Sequence, residues 1–309
     1  MVQKYVIPAL LILALLVAPH FMYPVELMKL LCFALFACAF NLILGYGGLL
    51  SFGHAAFFGG AAYITGHVIK VWGLPTELGI LVGGLSAAVM GVIVGSLAIR
   101  RQGIYFAMIT LALAQMIYFL ALQMPFTGGE NGLQGVPRGT ALGIFDLQNN
   151  MNMYYFVLAI FLICFFLIAR TVNSPFGQIL RAIRDNEPRA ISLGYDVDRY
   201  KLLAFVLSAT LAGVAGATKT VVFQLASLTD VHWHMSGEVV LMTLLGGLGT
   251  ITGPAVGAAI IVSLQNTLAT DPVLGQWVPV VLGIIFVICV LAFRRGVVGE
   301  LRAFIKRSF

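Results

Sequence analysis

Charged residues are scarce in this chain of 309 residues: they make up 10% of it, against roughly 25% in soluble domains. Hydrophobic residues make up 60%, and the mean hydropathy is +0.99. A soluble protein this apolar could not cover its surface with polar groups. That excludes an ordinary cytosolic enzyme, a disordered chain and a free nucleic-acid binder. The composition, with 34 glycines and no collagen-like period, is typical of a polytopic helical membrane protein.

The sequence also lacks the motifs of an enzyme or a metal site. It contains no Gly-x4-Gly-Lys-Ser/Thr phosphate loop, no His-Glu-x2-His pair and no arguable Ser-His-Asp grouping. The cysteines each lie inside an apolar run, without the spacing of metal ligands or of a disulfide framework. They are Cys32, Cys38, Cys164 and Cys289. We therefore expect no catalytic residue, no bound metal and no cofactor in this chain.

Ten apolar stretches come close to the roughly 20 residues that a helix needs to cross a bilayer core. They are residues 5–19, 27–45, 52–69, 78–98, 103–124, 153–170, 202–225, 236–250, 252–269 and 277–293. The sequence predicts an all-α bundle of about ten transmembrane helices, forming a single domain over residues 1–309. Residues 5–19 lack a convincing signal-peptide cleavage site, so we interpret them as a retained span. Residues 236–250 are short and end in glycines, which leaves a broken or re-entrant helix open.

Basic residues are distributed unevenly between the two sides of this bundle. If ten spans alternate from a cytoplasmic N-terminus, most of the 18 lysines and arginines fall on cytoplasmic segments. Most of the acidic residues fall outside, so the chain fits the positive-inside rule. Membrane orientation then explains the net charge of +6 without nucleic acid, and both termini are expected in the cytoplasm. Two segments outside the membrane are long, an external loop at 125–152 and a cytoplasmic loop at 171–201.

Few polar side chains fall at membrane depth, so each is a candidate for contact with a transported solute. The candidates for a translocation path, with one neighbouring aromatic residue, are Asn41, Ser51, Phe52, His54 and Gln115. A structural role is the alternative for His54, which follows a glycine at a helix start. Lys219 lies near the outer end of its span. It either snorkels to the interface or places a charge in a water-filled vestibule.

A weak internal repeat of glycines marks two predicted helix breaks. Residues 47–55 resemble residues 246–255 with one residue inserted, and both fall at the cytoplasmic side of two spans. Transporters often carry such interrupted segments in corresponding places of their two halves. Chance similarity among glycine-rich helices is the alternative. The residues predicted to form the breaks or to allow close helix packing are Gly45, Gly48, Gly53, Gly246, Gly247, Gly249, Gly253 and Pro254.

The cytoplasmic loop has the pattern of two short helices. Apolar residues recur at helical spacing up to Ile183, Pro188 interrupts the pattern, and Gly194 is a natural helix stop. Between Pro188 and Gly194 lies a small apolar patch that consists of Ala190, Ile191 and Leu193. A partner protein or the lipid interface could cover it, and an ordered surface loop without a partner is the alternative.

Several motifs occur in an order that resembles a known family along nearly the whole chain. They are Asn41-Leu42-x2-Gly45-Tyr46, Gly103-x-Tyr105-Phe106-Ala107, Thr127-Gly128-Gly129-x-Asn131-Gly132-Leu133, Arg181-Ala182-Ile183-Arg184-Asp185-Asn186-Glu187-Pro188-Arg189-Ala190 and Gly246-Gly247-x-Gly249-Thr250-x2-Gly253-Pro254. Together they resemble the ABC importer permeases of the branched-chain amino-acid (LivM-type) family. Importer permeases more generally carry Glu-Ala-Ala-x3-Gly in this loop. Here Glu187-x2-Ala190-x3-Gly194 places the glycine one residue further from the glutamate, which leaves the exact helix boundaries open.

The resemblance implies a type II-like permease fold in a bacterial inner membrane, with a coupling helix that docks on an ATPase subunit. The residues implied for that contact are Arg181, Arg184, Glu187, Arg189, Ala190 and Gly194. The implied partners are a second homologous permease, two ABC ATPase subunits that bind ATP and Mg, and a periplasmic or extracellular solute-binding protein, besides membrane lipid. The implied function is import of branched-chain amino acids by alternating access.

Other functions stay open from the residues alone. A secondary transporter driven by an ion gradient would be expected to need intramembrane carboxylates. The spans hold almost none, and Glu238 is the best exception. A membrane scaffold without transport activity is a further alternative. Within the same family, the substrate could instead be urea, an amide, another amino acid or a small organic acid.

Overall fold

The computed structural model describes residues 13–141, 143, 145–270, 277–292 and 296–300, and these form an all-α bundle with four short strands. The predicted all-α fold is confirmed. The helices are α1 (Pro24–Asn41), α2 (His54–Lys70), α3 (Thr76–Ala98), α4 (Ile104–Gln123), α5 (Asn150–Val172), α6 (Pro175–Asp185), α7 (Glu187–Ser192), α8 (Val197–Phe223), α9 (Trp233–Gly246), α10 (Gly253–Ala269) and α11 (Val278–Ala292). A π-helical turn at Leu42–Tyr46 extends α1.

Five of the described helices are long and apolar enough to cross a membrane, namely α1 with its π turn, α3, α4, α5 and α8. Helix α10 is apolar but shorter. Most of the predicted span 5–19, both termini and the side chain of Cys289 lie outside the described residues. The count of ten spans and the cytoplasmic location of the termini therefore stay predictions.

Helix α1 is the centre of the bundle. With its π turn it forms a span of which 83% is buried, whereas α4 is buried over only 28%. A helix that is apolar on all sides is expected inside a bundle rather than at its surface. Helix α8 packs against α1, α2 and α3 through small residues. A Cβ atom at Gly216 would overlap the carbonyl oxygen of Phe58, so the two backbones are in contact there.

Two helix breaks lie near the predicted cytoplasmic end of the bundle. The first break, residues 47–53, separates the π turn from α2, and the second break, residues 247–252, separates α9 from α10. Gly48, Gly247 and Gly249 have φ of +70°, +121° and +69°, a backbone region that L-residues with side chains rarely adopt. Pro254 lies in the first turn of α10, where its missing N–H costs no hydrogen bond.

The opposite end of the bundle is covered by the segment between α4 and α5. Two short antiparallel pairs lie there: β1 (Leu133–Gln134) with β4 (Leu225–Ala226), and β2 (Thr140–Ala141) with β3 (Phe145–Asp146). Arg138 anchors the segment, because its guanidinium donates to Asn150 Oδ1 at 2.8 Å and to the Val222 carbonyl at 2.7 Å. Partial burial lowers the pKa of Arg138 from its ordinary value. The external loop predicted at 125–152 is thus a folded cover.

Candidate functional site

Side-chain caps shape the segment between α5 and α8. Ser174, Asn186 and Asp196 precede α6, α7 and α8, and each side chain accepts a hydrogen bond from a backbone N–H of the first turn. A proline stands in the first turn of both α6 and α7. Gly194, with φ of +86°, follows α7 and lets the chain turn back towards α8. The predicted helix, kink and short helix therefore have local causes.

Helix α7 has a buried side and an exposed side. Ala190 is 3% exposed and packs with Ile183 and Val197 in a small core beneath the helix. Ile191 on α7 and Leu193, which directly follows the helix, are 58% and 69% exposed, so both apolar side chains face outward. Of the apolar patch expected from the sequence, Ala190 lies inside and the two larger residues form the outer surface.

Glu187 fixes α7 to two other parts of the protein. Its Oε2 pairs with Lys201 Nζ at 2.7 Å, and its Oε1 accepts from Gln102 Nε2 at 2.9 Å. Lys201 belongs to α8 and is only 3% exposed, whereas Gln102 lies in the turn between α3 and α4. These two contacts fix α7 to α8 and to the α3–α4 turn in this structure. Lys201 and Gln102 were not among the site residues predicted from the sequence.

The arginines of the segment have three different environments. Arg184 donates through Nη1 to the Gly45 carbonyl at 2.6 Å and pairs with Asp185 at 2.8 Å. Arg181 donates to the Val172 carbonyl at 2.6 Å, and its guanidinium carbon lies 5.4 Å from the centre of the Tyr46 ring. Arg189 is exposed. Arg181 and Arg184 therefore connect the segment to the bundle, and only Arg189 points freely to solvent.

The two breaks meet at Asn41. Its Nδ2 donates to the Thr250 carbonyl at 2.8 Å, and its Oδ1 accepts from the Gly249 N–H at 3.1 Å. A Cβ atom at Gly45 would lie 2.6 Å from the Gly249 nitrogen and would overlap the Asn41 amide. The glycines at 45 and 249 therefore allow a close contact between segments about 200 residues apart in the chain. In the first turn of α2, just after the first break, the Ala55 N–H donates to Ser236 Oγ of α9 at 2.9 Å.

The glycines on either side of the second break, Gly246 and Gly253, also make close contacts. A Cβ at Gly246 would overlap the Gly253 carbonyl oxygen, and the Gly253 N–H donates to Thr250 Oγ1 at 3.1 Å. A Cβ at Gly53, at the end of the first break, would lie 3.0 Å from the Thr110 carbonyl oxygen of α4. Glycines thus occur where the ends of neighbouring helices are in close contact.

His54 and Ser51 are fully buried. His54 Nε2 lies 2.9 Å from Ser208 Oγ, and that hydroxyl donates to the Ala39 carbonyl at 2.6 Å. Because the hydroxyl has one hydrogen, Nε2 carries the proton in this arrangement. Ser51 Oγ accepts from the Gly53 N–H at 3.2 Å. These contacts fit the structural alternative for His54.

Phe52 and Gln115 are more accessible. Phe52 is partly exposed and lines an apolar cavity of about 430 Å³ with Met108 and Leu111 of α4. Gln115 is partly exposed on the same helix, close to the exposed Met116. Of the five candidates for a translocation path, these two are therefore placed where a solute could reach them.

Lys219 pairs with Asp230, which is 1% exposed. The rings of Phe33, Phe58 and Phe223 surround the ammonium, with centroids 5.8 to 6.0 Å away. Neither snorkelling nor a free charge in a vestibule describes this lysine.

In the residues that the structure describes, no group of three or more His, Cys, Asp or Glu side chains could hold a metal ion.

Comparison with known proteins points to one family. The family model for the permease component of branched-chain amino acid transport systems matches residues 27–290. The high-affinity branched-chain amino acid permease LivM of Escherichia coli is 28% identical over 296 residues, which cover 87% of this chain and 69% of that protein. LivM of Salmonella typhimurium is 27% identical over 72% of this chain, and the match covers 58% of that protein. The ribose import permease RbsC of Bacillus subtilis is 31% identical over 93% of this chain and 90% of its own length. No solved structure matches the chain.

Proposed function

The chain belongs to the family of branched-chain amino acid transport permeases, and from that premise we propose that it is the membrane subunit of an ATP-driven importer. It pairs with a second, related permease, two ATPase subunits and a solute-binding protein outside the membrane. ATP and Mg bind to the ATPases, since the sequence of this chain has no phosphate loop. In this mechanism ATP binding moves the ATPases, and the permease pair opens alternately to the two sides.

The exposed face of α7 is the observation that carries this proposal. Ile191 on this short helix and Leu193 directly after it point outward. Glu187 fixes the helix to α8 and to the α3–α4 turn. A pair of exposed apolar side chains on a rigid support at the predicted cytoplasmic end fits a groove on a partner protein. We assign that partner as the ATPase. The buried Ala190 then supports the contact from below, and Arg189 lies beside it.

The path of the solute follows α4 in this proposal. Helix α4 is the least buried of the five long spans, and it carries the partly exposed Gln115. The apolar cavity beside Phe52 adjoins the same helix. Asn41, Ser51 and His54 hold helix ends in place instead of lining the path in this proposal, because the Asn41 amide, the Ser51 hydroxyl and Nε2 of His54 already bind backbone or other side chains and all three residues are buried.

We propose branched-chain amino acids as the substrate, because the family and the LivM relatives are named for them. A sugar is the second candidate, since RbsC matches the chain over more of its length than either LivM protein does. Uptake of radiolabelled leucine and ribose by cells expressing the complete transporter separates the two.

Purification of the tagged chain from its native membrane tests the assembly. Two ATPases and a second permease are expected to copurify. Substitution I191S together with L193S is expected to reduce ATPase recovery at least tenfold, whereas S192A on the same short helix leaves recovery unchanged. A chain that purifies alone and takes up solute in response to a proton or sodium gradient would contradict the proposal.

A further inference from the structure

We infer that Asn41 and Arg184 act together as a clasp that transmits movement of α6 and α7 to both helix breaks. This inference rests on the proposed function, because it takes α7 as the element that the ATPase moves. The clasp consists of the two side chains and the three backbone groups that they bind, Gly45 O, Gly249 N and Thr250 O.

Arg184 forms the first half of the clasp. The Gly45 carbonyl lies near the end of the π turn, where the last carbonyls of a helix have no partner within the helix. The guanidinium supplies a charge-assisted hydrogen bond to it, which is stronger than one between neutral groups. A Cβ at Gly48 would lie 2.6 Å from Arg184 Cγ, so the stem of Arg184 fills the space that this glycine leaves. Helix α6 is thereby fixed to the start of the first break.

Asn41 forms the second half. Asn41 lies on α1, four residues before Gly45 of the π turn, and it is 2% exposed. Its amide binds an N–H and a carbonyl of the second break, where the backbone is not helical. Backbone polar groups within a membrane bundle need partners, and this one amide satisfies two of them. A movement of the first break relative to the second therefore changes both hydrogen bonds that the Asn41 amide makes.

The two halves meet in space as well as through α1. A Cβ at Gly249 would lie 3.4 Å from the Gly45 carbonyl oxygen and 3.7 Å from Arg184 Nη1. One carbonyl, one guanidinium and one amide thus hold α6, the first break and the second break at a single point. Since α2 follows the first break and α10 follows the second, a displacement of α6 acts on a helix in each half of the bundle.

Hydrogen–deuterium exchange on the purified full chain tests the clasp without any transport assay. The substitution R184Q is expected to raise exchange at least tenfold in residues 247–252 as well as in residues 44–50, although of these two regions the Arg184 side chain donates only to residues 44–50. R184K, which keeps a charged donor, is expected to lie closer to the wild type. R199Q removes a positive charge from the same loop, at an exposed arginine whose ion-pair partner among the described residues is Asp196, and is expected to change neither break. Faster exchange confined to residues 44–50 would overturn the inference.

A second measurement follows coupling in the complete transporter reconstituted in liposomes. The number of ATP molecules hydrolysed per leucine taken up is expected to rise at least fivefold in R184Q and N41A. The double variant should be no worse than the more severe single variant, because both act through one unit. Unchanged ratios, or losses that multiply in the double variant, would contradict the clasp. Absence of ATP-driven uptake in the wild type would instead contradict the proposed function, and the exchange experiment would still decide the clasp.

Discussion

The two lysines of α8 illustrate how the ends of the bundle differ. Lys201 lies in the first two turns and pairs with Glu187 at the predicted cytoplasmic end. Lys219 lies near the other end of the same helix and pairs with Asp230. Glu187 has a side chain that is 21% exposed, and both its oxygens are hydrogen-bonded. Asp230 is 1% exposed, and its Oδ2 is buried without a hydrogen-bond partner among the described residues.

This difference has a physical consequence. The difference lies in the carboxylates, because the Lys201 side chain is itself only 4% exposed. Water reaches the Glu187 carboxylate, which can exchange one polar contact for another at small cost. The Asp230 carboxylate has no such exchange, because separation from Lys219 would leave its charge in a site that water does not reach. The inner pair can therefore reform during movement of α7, whereas the outer pair holds the outer end of α8 in place.

Removal of the Asp230 carboxylate is expected to have the largest effect. The substitution D230A leaves the ammonium of Lys219, whose side chain is only 15% exposed, without its partner between aromatic rings, and we expect a loss of about 3–5 kcal/mol in the free energy of unfolding. Thermal unfolding of the purified chain in detergent measures it. D198A removes an exposed aspartate from the first turn of α8 and serves as the control. A stable D230A protein would show that the outer end of α8 does not depend on this pair.

The substitution E187Q is expected to cost less, about 1.5–3 kcal/mol, the range for hydrogen bonds to charged groups. The Lys201 side chain is only 4% exposed, but the oxygen of the new amide can still accept a hydrogen bond from its ammonium, so Lys201 loses only part of its stabilisation. The same unfolding measurement applies, with E130Q in the exposed external loop as its control. A loss as large as that of D230A would remove the distinction between the two ends.

The difference between these regions could be predicted only in part from the sequence. The helix, kink and helix of residues 175–192 follow from local signals, since Asn186 and Pro188 mark the start of α7. Helix α8 begins at Val197, five residues before the predicted span at 202, because Asp196 caps it and the cytoplasmic turn continues as helix. The capping residue Asp196 is visible in the sequence, but hydropathy alone places the start of the span where the continuous apolar run begins, at residue 202.

The ion pairs and the clasp were not predictable from the sequence. Glu187 and Lys201 are 14 residues apart and Lys219 and Asp230 are 11 apart, with a turn between the members of each pair, so no helical spacing connects them. Asn41 and Gly249 lie in different halves of the chain. The glycine repeat indicated that residues 47–55 and 246–255 were alike, but only the packing of α1 against α9 and α10 brings these segments together.

Between its two lysines, α8 is in close contact with α2, and thermal unfolding of glycine variants tests that contact. A methyl group at Gly216 would overlap the Phe58 carbonyl, so G216A is expected to separate α8 from α2 and to cost about 1–3 kcal/mol. Gly237 of α9 has no atom within 4 Å of the position of a Cβ. There G237A should stabilise the helix by up to about 1 kcal/mol. Equal effects of the two substitutions would contradict the close contact of α8 with α2.

The smallest expected effect concerns Gln102, which shares Glu187 with Lys201. The substitution Q102A removes one hydrogen bond at an exposed site, and we expect a loss of about 0.5–1.5 kcal/mol. Because the ion pair with Lys201 remains, the loss should disappear in an E187A background, which has no oxygen to accept from Gln102, if Gln102 acts only through the carboxylate. Unfolding of the two single variants and the double variant completes a thermodynamic cycle. Additive losses would show that Gln102 stabilises the α3–α4 turn independently, and α7 would then be fixed to the bundle through α8 alone.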